Sequence, residues 1–239
     1  MKSGRFNEAE VQLLQVQEMA LTAAGRESTD YAASLYHLGI LNKDIGNLDI
    51  ALDQFNECSS IASISQGVRG KYSLICKLQS GILQRMRGEY TAAAQNLRAV
   101  LNDVGGVDLV YGIEARIELA RMLVAKGERE EAESILGDLS EIGNDIDLLI
   151  SAAAYNREFG NVASAAAYAS RATTEAARML PDGNWIAALA TAEYAYALVA
   201  SGETAEAKKL ATSAYADLLA TFGPDDYRVV PLKALIDRD

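Results

Sequence analysis

Residues 35–55 read LYHLGILNKDIGNLDIALDQF, and this stretch decides the fold. Apolar residues recur at spacings of three and four on both sides of Gly46, which is typical of two amphipathic helices. Gly46 stands between the two helices and permits the sharp turn that lets them pack antiparallel. Gly39 and Ala51 favour a close approach of the two backbones, because a larger side chain would push the helices apart. The stretch therefore predicts a helical hairpin.

The same pattern recurs along the 239 residues of the chain. An alanine follows each turn glycine by five residues, and another glycine or alanine precedes each of the last five turn glycines by seven residues. The intervals between successive turn glycines are 42, 42, 39, 33 and 42 residues. A unit of this size with fixed small residues indicates a stack of helical repeats. The turn glycines are Gly4, Gly46, Gly88, Gly127, Gly160 and Gly202.

The pattern predicts an all-α solenoid of about twelve helices that spans residues 1–239. It begins with a half repeat at 1–28 and ends with a capping helix at 227–239, whose residues Arg228, Lys233 and Asp237 are expected to face water. The predicted full repeats are 29–70, 71–107, 108–145, 146–184 and 185–226. Because the 33-residue interval is short, the helix predicted at 129–140 is expected to be trimmed.

These features resemble the tetratricopeptide repeat (TPR) family, and within it the 42-residue class found in kinesin light chain. The resemblance rests on residues 35–41, on residues 46–51, and on Gly223-Pro224-Asp225, which matches the motif between repeats in that class. It implies a right-handed superhelix of antiparallel helix pairs that binds a protein or peptide. Where the family's chaperone-tail clamp has lysine and asparagine, this chain has Tyr36 and Ile40, so that clamp is expected to be absent.

In TPR solenoids, the first helix of each pair lines a concave groove. The resemblance therefore implies that first-helix residues not needed for repeat packing contact the partner. The predicted partner-binding groove residues are Tyr36, His37, Ile40, Lys43, Leu78, Gln79, Ile82, Arg85, Ile117 and Arg121. Similar candidates further along the chain include Glu118, Arg157, Glu193 and Tyr196.

The net charge of −11 lies entirely in residues 101–239, since residues 1–100 are balanced. This acidity argues against non-specific nucleic-acid binding, which depends on neutralisation of phosphates by Lys and Arg. With Lys77 and Arg85 in the neutral half, it also suggests a groove that receives an acidic or C-terminal end of the ligand near residues 71–107 and basic residues of the ligand near residues 146–226. No apolar run reaches the roughly 18 residues of a membrane helix. We expect a cytoplasmic protein without a membrane partner.

The sequence offers little for catalysis. His37 is the single histidine, and neither it nor the two cysteines have the spacing of a metal site. Cys58 is expected to be a small core residue that lies near Cys76, and no disulfide framework is predicted. We therefore expect no enzyme activity, no metal and no cofactor.

Two functions follow from these expectations. The first is a non-catalytic scaffold that binds a peptide or partner protein in the groove. The alternative is a sensory or regulatory TPR domain of a larger bacterial signalling protein, attached to a kinase, a regulator or a caspase-like domain. The helix predicted at 6–23 lacks a preceding partner helix, so we expect it to self-associate or to pair with further upstream chain.

Overall fold

The structure, a computed structural model, describes residues 4–104, 109–137, 139 and 142–238. Over these residues the chain forms helices joined by turns and contains no strand. The all-α repeat architecture predicted from the sequence is therefore confirmed, while the right-handed superhelix stays a prediction. The helices are α1 (Gly4–Ala24), α2 (Thr29–Asp44), α3 (Leu48–Gln66), α4 (Lys71–Met86), α5 (Tyr90–Val104), α6 (Leu109–Lys126), α7 (Arg129–Leu136), α8 (Ile146–Phe159), α9 (Val162–Met179), α10 (Trp185–Ser201), α11 (Thr204–Phe222) and α12 (Val230–Ile236).

Two helices differ from their predicted bounds by more than two residues. Helix α7 ends at Leu136 rather than 140, because Gly137 adopts a φ of +59° and leaves the helical conformation. Helix α12 begins at Val230 rather than 227, with Pro231 in its first turn, where a missing N–H costs little. Helices α2 to α11 fall two by two inside the five predicted full repeats, and α1 falls inside the predicted half repeat.

The turn glycines close the first helix of each pair in one recurring way. From Gly46 to Gly202, all five have φ between +76° and +95°. The residue after each glycine donates its backbone N–H to the carbonyl four residues before the glycine, for example Asn47 to Asn42 at 2.8 Å and Glu203 to Leu198 at 2.9 Å. This is a Schellman closure, which needs a left-handed residue and therefore favours glycine. The repeated glycine of the sequence is thus a repeated helix end.

The small residues of the pattern lie where the two helices of a pair touch. A Cβ on Gly39 would stand 2.6 Å from Cε1 of Phe55, and a Cβ on Gly81 would stand 2.9 Å from Cγ of Leu97. The alanines five residues after the turns, Ala51 and Ala93 among them, are fully buried. The sequence argument for close helix approach is borne out at these contacts.

The chain divides into two compact units within α6. The first unit runs from Gly4 to Met122, and the second holds the described residues from Leu123 onward. The core of the first unit includes Phe55, Leu35 and Leu83. The core of the second unit is built mainly of alanines, with Leu218 and Leu232 near its end.

Cys58 and Cys76 form a disulfide between α3 and α4, with a Cα–Cα distance of 6.1 Å. Both residues are fully buried, so the expectation that Cys58 is a core residue holds. The expectation that the cysteines remain unbridged is wrong. They lie twelve residues after one turn glycine and twelve before the next, positions that face each other where neighbouring repeats pack.

At the end of the chain, Lys233 and Asp237 are exposed as expected, but Arg228 is not. Arg228 is not on a solvent face but is buried, with its guanidinium 3.3 Å from the ring centroid of Phe222 and its Nε 2.8 Å from Oδ1 of Asp226. Burial opposes ionisation of Asp226, but the hydrogen bonds and charge of Arg228 outweigh it, so the pKa of Asp226 is lowered. Arg228 therefore holds the turn that leads into α12 against the preceding helix pair.

Candidate partner-binding face

The first helices of the first unit present the predicted groove residues at fixed distances before their turn glycines. Ten residues before the turn glycine, the three helices have Tyr36, Leu78 and Ile117. Nine residues before it, they have His37, Gln79 and Glu118. Six residues before stand Ile40, Ile82 and Arg121, and three before stand Lys43 and Arg85.

Two cations on this face form hydrogen bonds between neighbouring repeats. In each case the cation lies three residues before a turn glycine, and its partner lies nine residues before the next turn glycine. Nζ of Lys43 on α2 donates to Oε1 of Gln79 on α4 at 2.8 Å. Nε of Arg85 on α4 donates to Oε2 of Glu118 on α6 at 2.6 Å. Each bond crosses from one repeat to the next, so the two together join α2, α4 and α6 along one face. We call this series of bonds the cross-repeat ladder.

Glu118 is the most enclosed charged group of the ladder, at 3% exposed. It also accepts a hydrogen bond of 3.0 Å from Nη1 of Arg121, one turn further along the same helix. Burial by itself opposes ionisation, but the charges of Arg121 and Arg85 and their hydrogen bonds outweigh it and lower the pKa of Glu118. The carboxylate is therefore charged at neutral pH and fixes both arginines.

His37 is exposed, in contrast to the residues at the same position of the next two repeats. It stands beside Tyr36, with ring centroids 5.1 Å apart, and Tyr36 in turn packs against Phe55 and Tyr72. Partial burial and the nearby charge of Lys71 lower the pKa of His37, so the imidazole is neutral at pH 7. Tyr36 and His37 form an aromatic end to the face.

Three of the predicted groove residues are buried. Leu78 and Ile117 are fully buried and pack between helices, which corrects their assignment to the groove. Gln79 is also buried, beneath the amine of Lys43. The residues that retain exposed surface define the candidate face, and they are Tyr36, His37, Ile40, Lys43, Ile82, Arg85 and Arg121.

Lys77 contributes less to this face than the sequence suggested. Its Nζ lies 2.9 Å from Oδ2 of Asp103 at the end of α5, so its charge is paired within its own helix pair. The cations of the candidate face are instead Lys43, Arg85 and Arg121. Glu118 accepts hydrogen bonds from two of them, Arg85 and Arg121.

The second unit repeats the ladder at one position. Nε of Arg157 on α8 lies 2.6 Å from Oε1 of Glu193 on α10, and its guanidinium stands 5.6 Å from the ring centroid of Tyr196. Burial and the charge of Glu193 raise the pKa of Tyr196 to about 12, although Arg157 acts in the opposite direction. Sequence reasoning named these residues without pairing them. The sequence signal for these bonds is a cationic residue followed, 33 or 36 residues later, by a residue with a carboxylate or amide side chain.

Helix α1 exposes an apolar surface, as the sequence predicted. Met19 is 69% exposed and Leu14 is 49% exposed, with Val16 and Leu21 similar, while Leu13 is half-buried. The structure holds a single chain, so self-association through this helix stays a prediction.

The described residues contain no group of three or more His, Cys, Asp or Glu that could hold a metal ion. Across the same part of the chain, none of the helices combines the length and the apolar character needed to cross a membrane.

Comparisons with known proteins give a likeness of structure alone. No protein-family model matches the chain, and no curated protein matches it. The chain is similar to a solved Podosopora anserina structure of nearly identical TPR-like repeats of the kinesin light chain type, with 18% identity, a TM-score of 0.48, and coverage of 91% of this chain and 89% of that one. A single-substitution variant of that protein gives the same values.

Proposed function

We propose that the protein is a non-catalytic scaffold that binds a peptide or partner protein on the candidate face of its first unit. The observation that carries this proposal is the cross-repeat ladder. It holds the cations in place and leaves N–H groups on them that can donate to a partner. Arg85 donates to Glu118 through Nε, and Lys43 donates one N–H to Gln79. Half-buried Ile40 and Ile82 lie among these cations and supply apolar contact area. Apolar centres with charged surroundings are characteristic of protein interfaces.

The fixed cations of this face favour an acidic partner segment. Lys43, Arg85 and Arg121 are held there beside the carboxylate of Glu118, and bonds between ionised groups are stronger than those between neutral ones. Residues 101–239 carry the whole net charge of −11, which disfavours binding of such a segment to the rest of that part of the chain. Cytoplasmic location and attachment to a larger signalling protein stay predictions, and the buried disulfide is more typical of oxidising compartments.

The test is site-specific photo-crosslinking in cells, followed by binding measurements with the purified partner. A photoreactive residue is placed at His37, and the matched control places it at Ile50, which is exposed on α3. The partner captured only at position 37 is then titrated against Lys43→Ala and Ile82→Ala variants and against an Ile50→Ala control. We expect the first two to weaken binding about tenfold each and the control to leave it unchanged. Equal affinity for all three variants would overturn the proposal.

We propose separately that the exposed face of α1 supports self-association. Five large apolar side chains stand exposed on one helix, and patches of this kind mark interaction surfaces. Light scattering of the purified chain should give a mass above that of one chain, and Met19→Lys with Leu14→Lys should return it to 25.6 kDa. A wild-type chain that is monomeric at high concentration contradicts this.

A further inference from the structure

The exposed apolar residues of α1 fall into two groups, and the packing of repeats explains one of them. Val16 and Met19 stand twelve and fifteen residues after Gly4. The residues at the same positions of α3 are Cys58 and Ile61, and both are buried. Apolar residues are therefore expected at these positions in any repeat of the chain.

Val11 and Leu14 belong to the other group. They stand seven and ten residues after the turn glycine and are 56% and 49% exposed. The later second helices have polar or small residues at both positions, for example Asp53 and Asn56 on α3, Gln95 and Arg98 on α5, and Lys209 and Thr212 on α11. Repeat packing does not account for large aliphatic side chains on this side of α1, and apolar patches of this kind mark interaction surfaces.

These two residues are part of a stripe along α1. Asn7, Val11, Leu14, Glu18 and Leu21 recur at spacings of four, three, four and three, which is the seven-residue pattern of paired helices. All five are exposed, so this α1 stripe is open to a second helix. The helix has 21 residues and is about 31 Å long, enough for three such seven-residue repeats.

We infer that the α1 stripe binds the α1 stripe of a second copy of the chain, with the two helices antiparallel and Val11 of each copy opposite Leu14 of its partner. This assignment rests on the self-association proposed above, and it specifies which side of α1 is used and how the copies are oriented. The same surface is used on both copies, so the contact closes at two chains.

The polar residues of the α1 stripe match those of a second copy in this alignment. The register that places Val11 opposite Leu14 also places Glu18 opposite Asn7 of its partner, whose amide is able to donate to the carboxylate. A parallel pair in register would instead place Glu18 against Glu18 of its partner. Two like charges in contact are unfavourable, so the stripe favours the antiparallel orientation.

The residues that flank the stripe match in the same register. Glu8 and Gln15 lie on one flank, and Glu10 and Gln17 lie on the other. In an antiparallel pair the same flanks of the two helices face each other, so Glu8 meets Gln15 of its partner and Glu10 meets Gln17. Each carboxylate of α1 therefore meets an amide. This self-complementarity assigns the α1 stripe to a second copy rather than to a different protein.

The first test is the mass of the full chain, measured by sedimentation equilibrium over a range of concentrations. The wild type should approach twice the mass of one 25.6 kDa chain. Leu14→Lys should raise the dissociation constant of the dimer about a hundredfold, since each dimer contains the change twice. The matched control Met19→Lys, which changes a more exposed side chain outside the stripe, should alter it less than about twofold.

The second test is a double change across the contact. Asn7→Asp places a carboxylate opposite Glu18 of the partner and should weaken the dimer about tenfold, and the added change Glu18→Gln should restore it. Residues 7 and 18 of one helix lie about 16 Å apart, so a coupling between them requires the helix of the partner. The control Gln12→Glu adds the same charge outside the stripe and should change the affinity less than about twofold.

A spin label attached to a Thr22→Cys variant measures the orientation. The native cysteines are joined in a disulfide, so the label reacts at the introduced thiol alone. Antiparallel helices in this register hold the two labels about 30 Å apart, and parallel helices in register hold them about 10 Å apart.

The outcomes distinguish the self-association from its geometry. A wild type that keeps the mass of one chain overturns both. A dimer that Leu14→Lys and Met19→Lys weaken equally, that Glu18→Gln does not restore, or that holds the labels about 10 Å apart overturns the antiparallel contact through the α1 stripe and leaves the self-association standing.

Discussion

The two units reach the same close helix packing with different side chains. In the first unit, a glycine faces a bulky residue: Gly39 faces Phe55, and Gly81 faces Leu97. In the second unit the corresponding positions pair alanine with alanine, Ala153 with Ala169 and Ala195 with Ala211, and all four are fully buried. The first unit therefore concentrates its packing in a few large side chains, and the second distributes it over many methyl groups. The predictions below test this difference.

The largest effect is expected from truncation of a bulky residue in the first unit. Phe55→Ala should cost about 3–5 kcal/mol of unfolding free energy, because it leaves a cavity opposite Gly39. Its counterpart Ala169→Gly should cost about 1 kcal/mol, mainly through helix propensity. Hydrogen exchange of the amides in α2 and α3, compared with those in α8 and α9, measures both. Losses of equal size would show that the two packings do not differ in energy.

Removal of the buried carboxylate in the ladder should cost about 3 kcal/mol of unfolding free energy, because Glu118→Gln leaves the guanidinium of Arg85 enclosed without its anion. The folded-state pKa of Glu118 is lowered, so its contribution is fully present above the unfolded value of about 4.3 and is lost as pH falls through the lower folded value. The difference in unfolding free energy between wild type and Glu118→Gln should therefore decrease only at acidic pH. Hydrogen exchange of α6 amides at several pH values measures this.

The matched control for that prediction is Asp53→Asn, an exposed change on α3 that should alter stability by less than about 0.5 kcal/mol. If the deficit of Glu118→Gln persisted undiminished at pH 2, the charge of Glu118 would not be its cause.

Reduction of the disulfide should act on one unit alone. Opening the Cys58–Cys76 bond, which spans 18 residues, should cost about 3 kcal/mol and accelerate exchange in α3 and α4. The same positions of the last two pairs hold Ala172 and Ala190, so α9 and α10 should not respond to reductant. Exchange measured with and without reductant gives the comparison.

A double variant, Cys58→Val with Cys76→Ala, provides the control for the reductant. It copies Val100 and Ala115, the buried residues at the same positions of the next repeat junction. Its exchange should be insensitive to reductant, and a remaining response would place the effect outside the bond.

The smallest effect is expected from adding a methyl group to the tight pair. Gly39→Ala should cost about 1–2 kcal/mol, because the clash with Phe55 exceeds the gain of about 1 kcal/mol in helix propensity. The added change Phe55→Leu should restore part of this loss, as a double-mutant cycle would detect. Ala195→Gly in the second unit, which opens space instead, should lower stability by about 1 kcal/mol. If the changes in unfolding free energy from Gly39→Ala and Phe55→Leu were additive, the two residues would not be energetically coupled, and the clash would not explain the loss.

The sequence predicted the helix pairs well because a backbone contact admits only small residues, and a left-handed turn favours glycine. These requirements leave a visible spacing, as at Gly39, Gly46 and Ala51. The exposure of the candidate face was harder to predict, since it depends on the neighbouring repeat. Tyr36 is half-exposed near one end of the series, and Leu78 and Ile117 are buried at the same position further along.

The bonds between repeats left weaker traces in the sequence. A charged residue such as Arg85 is acceptable almost anywhere on a helix surface, so its partner Glu118 could not be told from other acidic residues. Cys58 and Cys76 occupy facing positions of neighbouring repeats, but facing positions elsewhere hold ordinary apolar residues, so spacing alone did not require a bond.

The cross-repeat ladder has a consequence for how the repeats are ordered. Its donor belongs to one repeat and its acceptor to the next, so each pair of repeats that it joins is matched. A rearranged chain in which residues 146–184 followed residues 71–107 would place Ser151 where Arg85 now meets Glu118. The guanidinium would lose its anion, and the new junction would be weaker than either original. The repeats of this chain are therefore not interchangeable modules, and shuffling or duplicating them requires that donor and acceptor move together.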